Sequence, residues 1–519
     1  MKPLGTIVFS ILLAGAGAAF AQSGGSPSGA PAPSAGPSAV ALPASGRNNQ
    51  GSVAATEQPV AGTTTSVNTL NPSVQISGPY SGSTRSTAAM PFSGQLSLKE
   101  ALERGLAYNL GAVGLAHTAR QNRAQVTVAR AALLPNVSGG LSETFEQIDL
   151  AAFGIRISVP GFHFPTVAGP FNYMNLQASL NQNLANFTAL HNYRSALATA
   201  RAGQYSLEDA RDLVTLAVGG AYLQVLAAQA RLDAAQAQLD TANAVFRQST
   251  EQHGEGVLGR LNVDQSQLRT LTQQQQIITL RNDLDKQKIN LARLTGLPPD
   301  SGYRLTDDFP FRPAAVPSVN EAVAQAEQQR ADLKAAEAQV EAAARALSAA
   351  RAERLPSLSV SGDYQYIGTN PAQLHGAYSV VGTLNVPIWQ GGRTAGDIAQ
   401  AEAVLAQRRA ELEDTRGQIE SEVRQVYLDL AATAGQVEVA RKNLDVAREA
   451  LDMSRARMEA GVVNTVEVVQ AQQTVATAQL DLIDSVFAHN VAKLSLARAL
   501  GHAGERLPSL LQAQTAPAP

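Results

Sequence analysis

Proline-free segments divide this chain more sharply than any other feature of its sequence. Proline is absent from residues 92–134, 171–297, 318–355 and 388–507, and it is concentrated between these segments. Because the proline ring removes a backbone donor and clashes with the preceding turn, it is excluded from helix interiors. The segments are also rich in Ala, Leu, Gln, Glu and Arg, which favour helices. The proline map therefore predicts helical regions separated by non-helical ones.

Two of the predicted helices are much longer than those of globular domains. Residues 189–249 and 394–458 run without proline, and at 1.5 Å per residue each helix extends roughly 90–100 Å. A helix of that length needs neighbours along its apolar side, so both are expected to lie in a coiled or bundled arrangement.

Short motifs occur twice in the chain, in the same order, which indicates an internal duplication. The pairs are Ala129–Pro135 with Ala350–Pro356, Glu100-Ala101 with Glu321-Ala322, Ala221–Leu223 with Val426–Leu428, and Leu291–Gly296 with Leu496–Gly501. The spacing changes once, which one insertion of roughly 16 residues near 150–170 explains. The sequence thus predicts two repeats, at 96–312 and 313–507, each reading helix, strand, loop, strand, very long helix, turn, helix.

Alternating apolar and polar residues predict strands where the prolines interrupt the helices. Four segments show this period of two, which gives a strand one apolar and one polar face. Their apolar positions are Val137, Leu141 and Phe145; Met174, Leu176, Leu180 and Leu184; Leu358, Val360, Tyr364 and Tyr366; and Tyr378, Val380, Leu384, Val386 and Ile388. Glu143 interrupts the apolar face of the first segment. The predicted fold class is mainly α with a small β part.

The N-terminus has the features of an export signal. Lys2 precedes an apolar stretch at 7–19, and Ala19-Phe20-Ala21 fits a small-x-small cleavage site. We expect residues 1–21 to be a signal peptide, with a retained membrane anchor as the alternative. Residues 22–95 are rich in Ser, Pro, Gly and Ala, which predicts a disordered extension, and 508–519 are expected to be a flexible tail.

Composition argues against several kinds of chemistry. The chain has no cysteine and a net charge of -3, so neither thiolate sites nor nucleic-acid binding is expected. Its seven histidines are scattered without metal-ligand spacing. Gly254–Gly259 matches G-x-G-x-x-G, but a long helix precedes it, so the glycines are expected to end that helix rather than bind a dinucleotide. We predict no enzyme activity, no metal and no cofactor.

The strand pattern is the one that a membrane barrel requires, with an apolar face for lipid and a polar face for water. Four strands cannot close a barrel, and open strand edges do not occur in lipid. If these strands span a membrane, several chains must share one barrel. The alternative is a soluble β-sandwich that caps a coiled coil.

Several short motifs in this chain resemble those of TolC-type outer-membrane efflux proteins. Leu384–Arg393, followed by Ala401–Ala403, is similar to that family's strand-to-helix junction, in which Pro387, Trp389, Gly391 and Gly392 are the marked residues. Arg457–Gly461 and Gly256-Val257 are similar to its two periplasmic hairpin tips, with Gly461 and Gly256 at the turns. The resemblance covers residues 96 to 507.

The resemblance implies a homotrimer in the outer membrane, with a large periplasmic portion. Three chains would form a twelve-stranded barrel in outer-membrane lipid and a periplasmic barrel of twelve helices. The implied partners are a periplasmic adaptor protein and an inner-membrane pump, either proton-driven or of the ABC type. The implied function is that of a passive, gated exit duct for efflux or type I secretion. The sequence does not identify the exported substrate.

The resemblance also implies a gate at the hairpin tips. Glu467 falls where the family has an acidic residue, and Gln470 falls at a second acidic position, which is neutral here. Asn262 replaces a common Asp, although Asp264 lies close by. A ring of three Glu467 side chains would favour cations. The simpler interpretation of each residue is a solvated surface near a helix turn.

Two further positions depart from the family, because Met458 and Val463 stand where some members have a Tyr and an Arg that latch the closed tip. The alternative from a different class of protein is a soluble periplasmic coiled-coil scaffold or adaptor, which would share the long helices but would not need amphipathic strands.

Overall fold

A computed structural model of the chain describes residues 51–60, 69–84, 92–150, 166–308, 311–314, 316–460 and 465–511, and residues 152, 154, 158, 159, 162, 163 and 462. The predicted signal peptide lies outside the described residues. The α-helices are α1 (Leu98–Tyr108), α2 (Leu110–Ala131), α3 (Phe187–Gly254), α4 (Arg260–Thr295), α5 (Val319–Gln329), α6 (Ala331–Ala352), α7 (Arg393–Glu459), α8 (Thr465–Ala499) and α9 (Ala503–Leu511).

The strands lie before the first helix and between later ones. They are β1 (Val53–Val60), β2 (Thr69–Ile76), β3 (Gln95–Leu96), β4 (Asn136–Asp149), β5 (Ser158–Val159), β6 (Phe162–His163), β7 (Val167–Ala185), β8 (Arg304–Leu305), β9 (Ser357–Gly368) and β10 (His375–Asn385). Two 3-10 turns lie at Gly78–Ser81 and Pro371–Gln373.

The two very long helices confirm the length predicted from the proline map. Helix α3 has 68 residues and α7 has 67, so each extends about 100 Å. Helix α3 packs along α4 and α6, and α7 packs along α8. Local contacts fix the start of α3 and the end of its partner α4. Asn186 accepts a hydrogen bond from the Ala189 backbone N–H at the start of α3, and Gly296, at a φ of 72°, ends α4.

The first helical region of each half is broken in two, which the sequence did not predict. The chain turns at Asn109, between α1 and α2, and at Arg330, between α5 and α6. The two residues have nearly the same backbone angles, with φ and ψ of -62° and 130° at Asn109 and -63° and 129° at Arg330. Asn109 and Arg330 are as far apart in the chain as Glu100 and Glu321, which belong to one of the repeated motif pairs. The two helix breaks therefore stand at corresponding positions in the two halves.

Both breaks are buried and held by polar contacts. The Asn109 side chain donates to the carbonyl of Tyr80 at 2.7 Å and accepts from the Gly111 backbone N–H. The guanidinium of Arg330 donates to both carboxylate oxygens of Asp332, at 3.1 and 2.7 Å. Each break combines a local contact two residues away with a contact to a distant residue, Tyr80 for Asn109 and Glu422 for Arg330.

An ion-pair network around Arg330 joins helices from both halves of the chain. Arg330 also pairs with Glu422 of α7. Arg498 of α8 lies 3.7 Å from Asp332 and pairs with Asp209 of α3. Burial disfavours the charged form of the Arg330 guanidinium, but the carboxylates of Asp332 and Glu422 more than offset this effect and raise the pKa of Arg330. The network therefore holds α3, α6, α7 and α8 together through paired, rather than isolated, buried charges.

The main apolar core lies beside this network. Tyr222 of α3 is fully buried, and its hydroxyl donates to the carbonyl of Leu96 and to Asp307. One stretch of α3 has a mean hydropathy of 1.5, high enough for a membrane span by length and composition, but 72% of it is buried inside the protein. Its apolar residues are thus used for packing against neighbouring helices.

The prediction of a disordered extension at 22–95 is wrong for the residues that the structure describes. Strands β1 and β2 pair as an antiparallel hairpin, and Val53 and Tyr80 are buried in the main core. Val74 of β2 packs against Gly220 of α3, because the glycine has no side chain of its own in the space that Val74 occupies. The composition rule fails here because the hairpin buries its few apolar side chains on an existing helical surface instead of building its own core.

Two smaller boundaries also need correction. The predicted tail at 508–519 begins too early, because α9 continues to Leu511, whose side chain is buried. Residues 512–519 lie outside the described residues. The last predicted strand ends at Asn385 instead of Ile388, because Pro387 cannot donate a ladder hydrogen bond.

Candidate functional site

The candidate site has two parts, a β-sheet at one end of the long helices and two hairpin tips at the other. The sheet contains the strands predicted from alternation, in the order β10-β9-β7-β4, and every pairing is antiparallel. Within the described part of the chain, β4 and β10 each leave one edge without a strand partner. Strands β9 and β10 have 12 and 11 residues, enough to cross a hydrocarbon layer at a tilt of about 45°.

The register separates the sheet into one apolar and one polar face. Rows of paired residues cross all four strands. Val137, Leu180, Gly362 and Val380 form one apolar row, and Leu141, Leu176, Tyr366 and Gly376 form another. The next row on the opposite face is polar and contains Ser138, Ser179, Asp363 and Ser379.

The apolar face has no protein cover in the single chain. Val137, Leu141, Phe145, Tyr378 and Val380 are each at least two-thirds exposed, with Val137 at 71% and Val380 at 72%. An exposed apolar surface of this regularity marks a membrane or an interaction surface.

The polar face is held together by side-chain hydrogen bonds. Gln177 donates to Asp363 at 3.0 Å, Asn175 donates to Gln365 at 3.3 Å, and the Ser138 and Ser179 hydroxyls lie 2.7 Å apart. These groups are ones that water solvates well, so the face suits an aqueous lumen.

The exception on the apolar face, Glu143, has a polar neighbour. Asn172 of β7 lies on the same face and donates to the Glu143 carboxylate at 3.0 Å. The sequence identified the interruption of the face but not this partner, because the two residues come together only through the strand register.

The strand-to-helix junction lies at the base of the sheet. After Pro387 the chain leaves the strand, and Gly391 and Gly392 adopt φ values of 61° and 86° immediately before α7. A side chain would be strained at both glycines. Trp389 is 87% exposed, so it does not pack in the core of its own chain, and a position at a membrane interface fits it better.

The first hairpin tip joins α3 to α4. Gly256 has a φ of 76°, and its backbone N–H donates to the carbonyl of His253 at 3.0 Å, so the glycine ends the helix as predicted. Asp264 lies 3.9 Å from Arg260, one turn earlier on α4. Asn262 is partly exposed in the first turn of α4.

The second hairpin tip joins α7 to α8. Glu467 lies in the first turn of α8, where Arg457 of α7 donates to its carboxylate at 2.7 Å. Gln470 is exposed one turn further along, and Met458 is buried between the two helices. Gly461 and Val463 lie outside the described residues. The structure thus brings Glu467 together with a cation that the sequence did not assign to it.

Arg457 is the site residue that sequence reasoning missed. It belongs to the motif that resembles the family's tip, yet it stands ten positions before Glu467, beyond any local spacing rule. A usable signal was present, since a basic residue in the last turn of one helix and an acidic residue in the first turn of the next face each other across a tight hairpin.

Two further observations complete the description of the site. Among the residues that the structure describes, no group of three or more His, Cys, Asp or Glu side chains is placed to hold a metal ion. A polar cavity of about 360 Å³ lies where the sheet meets the end of α2, and Asn181, Gln182 and Ser359 are among its lining residues.

A sheet with one apolar and one polar face, continued by two helices of about 100 Å, has the geometry of an outer-membrane protein with a large periplasmic portion. The sequence model of the outer membrane efflux protein family matches residues 113–297 and 322–502, one segment in each half of the chain. The chain belongs to the outer membrane efflux protein family.

Individual relatives agree with this assignment. The pyoverdine export outer membrane protein OpmQ of Pseudomonas putida is 27% identical over 293 residues, which are 54% of this chain and 60% of OpmQ. The alignment thus spans less than two thirds of that relative.

Solved structures show the same fold at lower identity. The outer membrane protein VceC of Vibrio cholerae is 20% identical with a TM-score of 0.67, over 78% of this chain and 96% of VceC. The open state of the MtrE outer membrane channel of Neisseria gonorrhoeae is 16% identical with a TM-score of 0.66, over 81% of this chain and 95% of MtrE.

Proposed function

We propose that this chain is one subunit of a homotrimeric outer-membrane exit duct, through which substrates pass passively from the periplasm to the exterior. The observation that carries the proposal is the four-stranded sheet with an exposed apolar face and two unpaired edges. In lipid, each unsatisfied backbone group costs several kcal/mol, so the sheet is complete only when β4 of one copy pairs with β10 of the next.

The strand count calls for more than one copy, and the family resemblance implies three. Membrane barrels need about eight strands or more, so one chain of four cannot close. Three chains give twelve strands, in agreement with the trimer that the family resemblance implies.

The helices carry a second set of uncovered apolar residues that supports lateral association. Val439, Val446 and Met453 of α7 are exposed at intervals of one heptad, and Leu261 and Leu268 of α4 are exposed with the same spacing. Heptad stripes are the pattern by which long helices pack side by side. We infer that α4 and α7 provide the surfaces through which neighbouring subunits close the periplasmic tunnel.

We infer that the hairpin tips form the periplasmic opening of the duct. Glu467, Gln470, Asn262 and Asp264 all lie within the first turns after a hairpin bend, where threefold copies would surround the axis. The tips are also where a periplasmic adaptor would dock, with an inner-membrane pump of the proton-driven or ABC type completing the exporter. Cargo selection is then a property of the pump, and pyoverdine is one candidate cargo because OpmQ exports it.

We propose no enzyme activity for the chain, since the duct performs transport without covalent chemistry. The alternative of a soluble periplasmic scaffold shares the long helices but leaves the amphipathic sheet without a purpose. Membership of the outer membrane efflux protein family favours the duct.

Extraction from membranes tests the proposal directly. The full-length protein, expressed with its own export signal, should fractionate with outer membranes, require detergent for extraction, and give the mass of three chains by native mass spectrometry. A folded, water-soluble monomer in the periplasmic fraction would contradict the proposal and favour the scaffold.

A further inference from the structure

The ion pair at the second hairpin tip bears on the charge of the duct opening. Arg457 lies in the last turn of α7 and Glu467 in the first turn of α8, and the guanidinium Nη1 is 2.7 Å from the carboxylate Oε1. Both side chains are partly exposed, at 55% and 38%. The pair therefore spans the hairpin bend and lies in contact with water.

Each partner is also favoured by the helix end on which it stands. The C-terminal end of α7 carries partial negative charge, which stabilises Arg457, and the N-terminal end of α8 carries partial positive charge, which stabilises Glu467. An ion pair on the surface contributes little to stability because solvent screens it. The partial charges of the two helix ends add to the attraction between Arg457 and Glu467 and keep the two side chains beside each other. The pair is thus a positioned pair of opposite charges rather than a stabilising bridge.

The first hairpin tip does not contain an equivalent pair across its bend. There, Arg260 and Asp264 both stand on α4, and their closest atoms are 3.9 Å apart. Across the bend itself, the His253 ring Nδ1 lies 2.7 Å from the backbone carbonyl of Leu258. The charge of Glu467 is therefore matched more closely than that of Asp264.

We propose that Arg457 sets the ion selectivity of the periplasmic opening by neutralising the Glu467 ring. The inference rests on the proposed function, in which these tips surround the pore axis. Three unpaired carboxylates would form a cation-favouring ring, but with a guanidinium at 2.7 Å from each one the net charge of the ring is zero. Because this separation is much shorter than the Debye length of about 8 Å at physiological ionic strength, an ion in the opening senses a pair and not a free charge.

Single-channel recording in planar bilayers tests this assignment with full-length trimers in a KCl gradient. The Arg457→Gln variant should raise the potassium-to-chloride permeability ratio by at least about threefold, because a ring of three carboxylates creates a potential on the order of kT or more. The Glu467→Gln variant should lower the ratio by a similar factor, because three guanidinium groups remain. The double variant should return to the wild-type ratio.

Arg455→Gln is the matched control, because it removes a positive charge from the same helix, where Arg455 lies 3.9 Å from Asp452 and not beside Glu467. The control should leave the ratio near that of the wild type. Conducting channels in which Arg457→Gln has no effect, or the same effect as Arg455→Gln, would overturn the inference alone. Wild-type protein that inserts but forms no channel would overturn the proposed function and the inference with it.

Discussion

Two consecutive valines in the middle of β10 offer a test of which face of the sheet meets lipid. Val380 belongs to the apolar row with Val137 and Leu180, whereas Val381 pairs with Ser361 on the polar face. Both side chains are exposed in the single chain, at 72% and 49%. The same substitution at neighbouring positions therefore compares the two faces with nearly identical local sequence and strand propensity.

The expected difference between the two variants is large. An arginine on the lipid face near the middle of the membrane costs about 2–4 kcal/mol, and position 380 lies at the centre of the 11-residue strand. In a trimer the cost occurs three times, about 6–12 kcal/mol in total, which is comparable with the whole stability of a typical domain at about 5–15 kcal/mol. On the polar face an arginine stays in water, so Val381→Arg should be nearly neutral.

The assay is assembly in the outer membrane. Cells expressing wild type, Val380→Arg or Val381→Arg are fractionated, and outer-membrane trimers are counted on gels run with and without boiling. Val380→Arg should lose most of its trimer, and Val381→Arg should retain it. Equal assembly of the two variants, or a larger loss for Val381→Arg, would show that the faces are not exposed to lipid and water as the register indicates.

Further substitutions test the rest of the fold. Burial, and to a lesser extent the nearby Lys493, lowers the pKa of His489 to about 4. As the pH falls from about 6.5 to about 4, the unfolded chain therefore binds a proton at His489 that the folded chain does not, and the folded state loses up to about 3 kcal/mol of stability. His489→Asn should remove this loss, read as the pH dependence of melting in detergent. Asp332→Asn removes one of the two carboxylates paired with the buried Arg330 and leaves Glu422, so it should cost up to about 3–5 kcal/mol, the range for a buried charge that loses its partner, seen as a lower melting temperature. Gly220→Ala places a methyl group 2.6 Å from a valine of β2 and should weaken the packing of the hairpin by about 1–3 kcal/mol, seen as faster proteolysis of residues 53–76.

Each of these predictions has a result that contradicts it. A His489→Asn variant with the same pH profile as the wild type would mean that another group controls acid stability. An unchanged melting temperature for Asp332→Asn would mean that Arg330 finds enough solvent or another partner. Gly114→Ala controls for the hairpin test, since nothing lies within 4 Å of its added methyl group, and equal proteolysis of both glycine variants would contradict the packing of β2 on α3.

The long helices and the sheet strands were predictable because their signals are local. The absence of proline over 171–297 and 388–507 anticipated α3 and α7, and period-two alternation anticipated the strands of the sheet. Both signals follow from constraints that act within a few residues, namely proline sterics and the alternation of side chains along a strand. The sequence could not supply the strand order, which depends on pairing between residues as distant as Gln177 and Gln365.

The features that sequence reasoning missed are those that tertiary contacts impose. Residues 53–60 and 69–76 lie in a segment with the composition of a disordered one, but they pair as strands, and Val74 fills a space that Gly220 of α3 leaves open. Asn109 and Arg330 each end one helix and begin the next, and each side chain joins a residue two positions further on to a distant one, which is Tyr80 for Asn109 and Glu422 for Arg330. The distant partners come from another part of the chain, so the local sequence does not reveal them.

Glu143 shows how the same reasoning applies to an exception on the lipid face. A lone carboxylate among Val137, Leu141 and Phe145 argues against a lipid-facing strand if only the alternation is considered. The register adds Asn172, whose amide donates to Glu143 at 3.0 Å, and acidic groups near a membrane surface cost less than arginine or lysine at its centre. Glu143 also stands on β4, the edge strand that the proposed trimer pairs with β10 of a neighbouring copy. The hydrogen bond from Asn172 therefore makes the exception compatible with a membrane sheet.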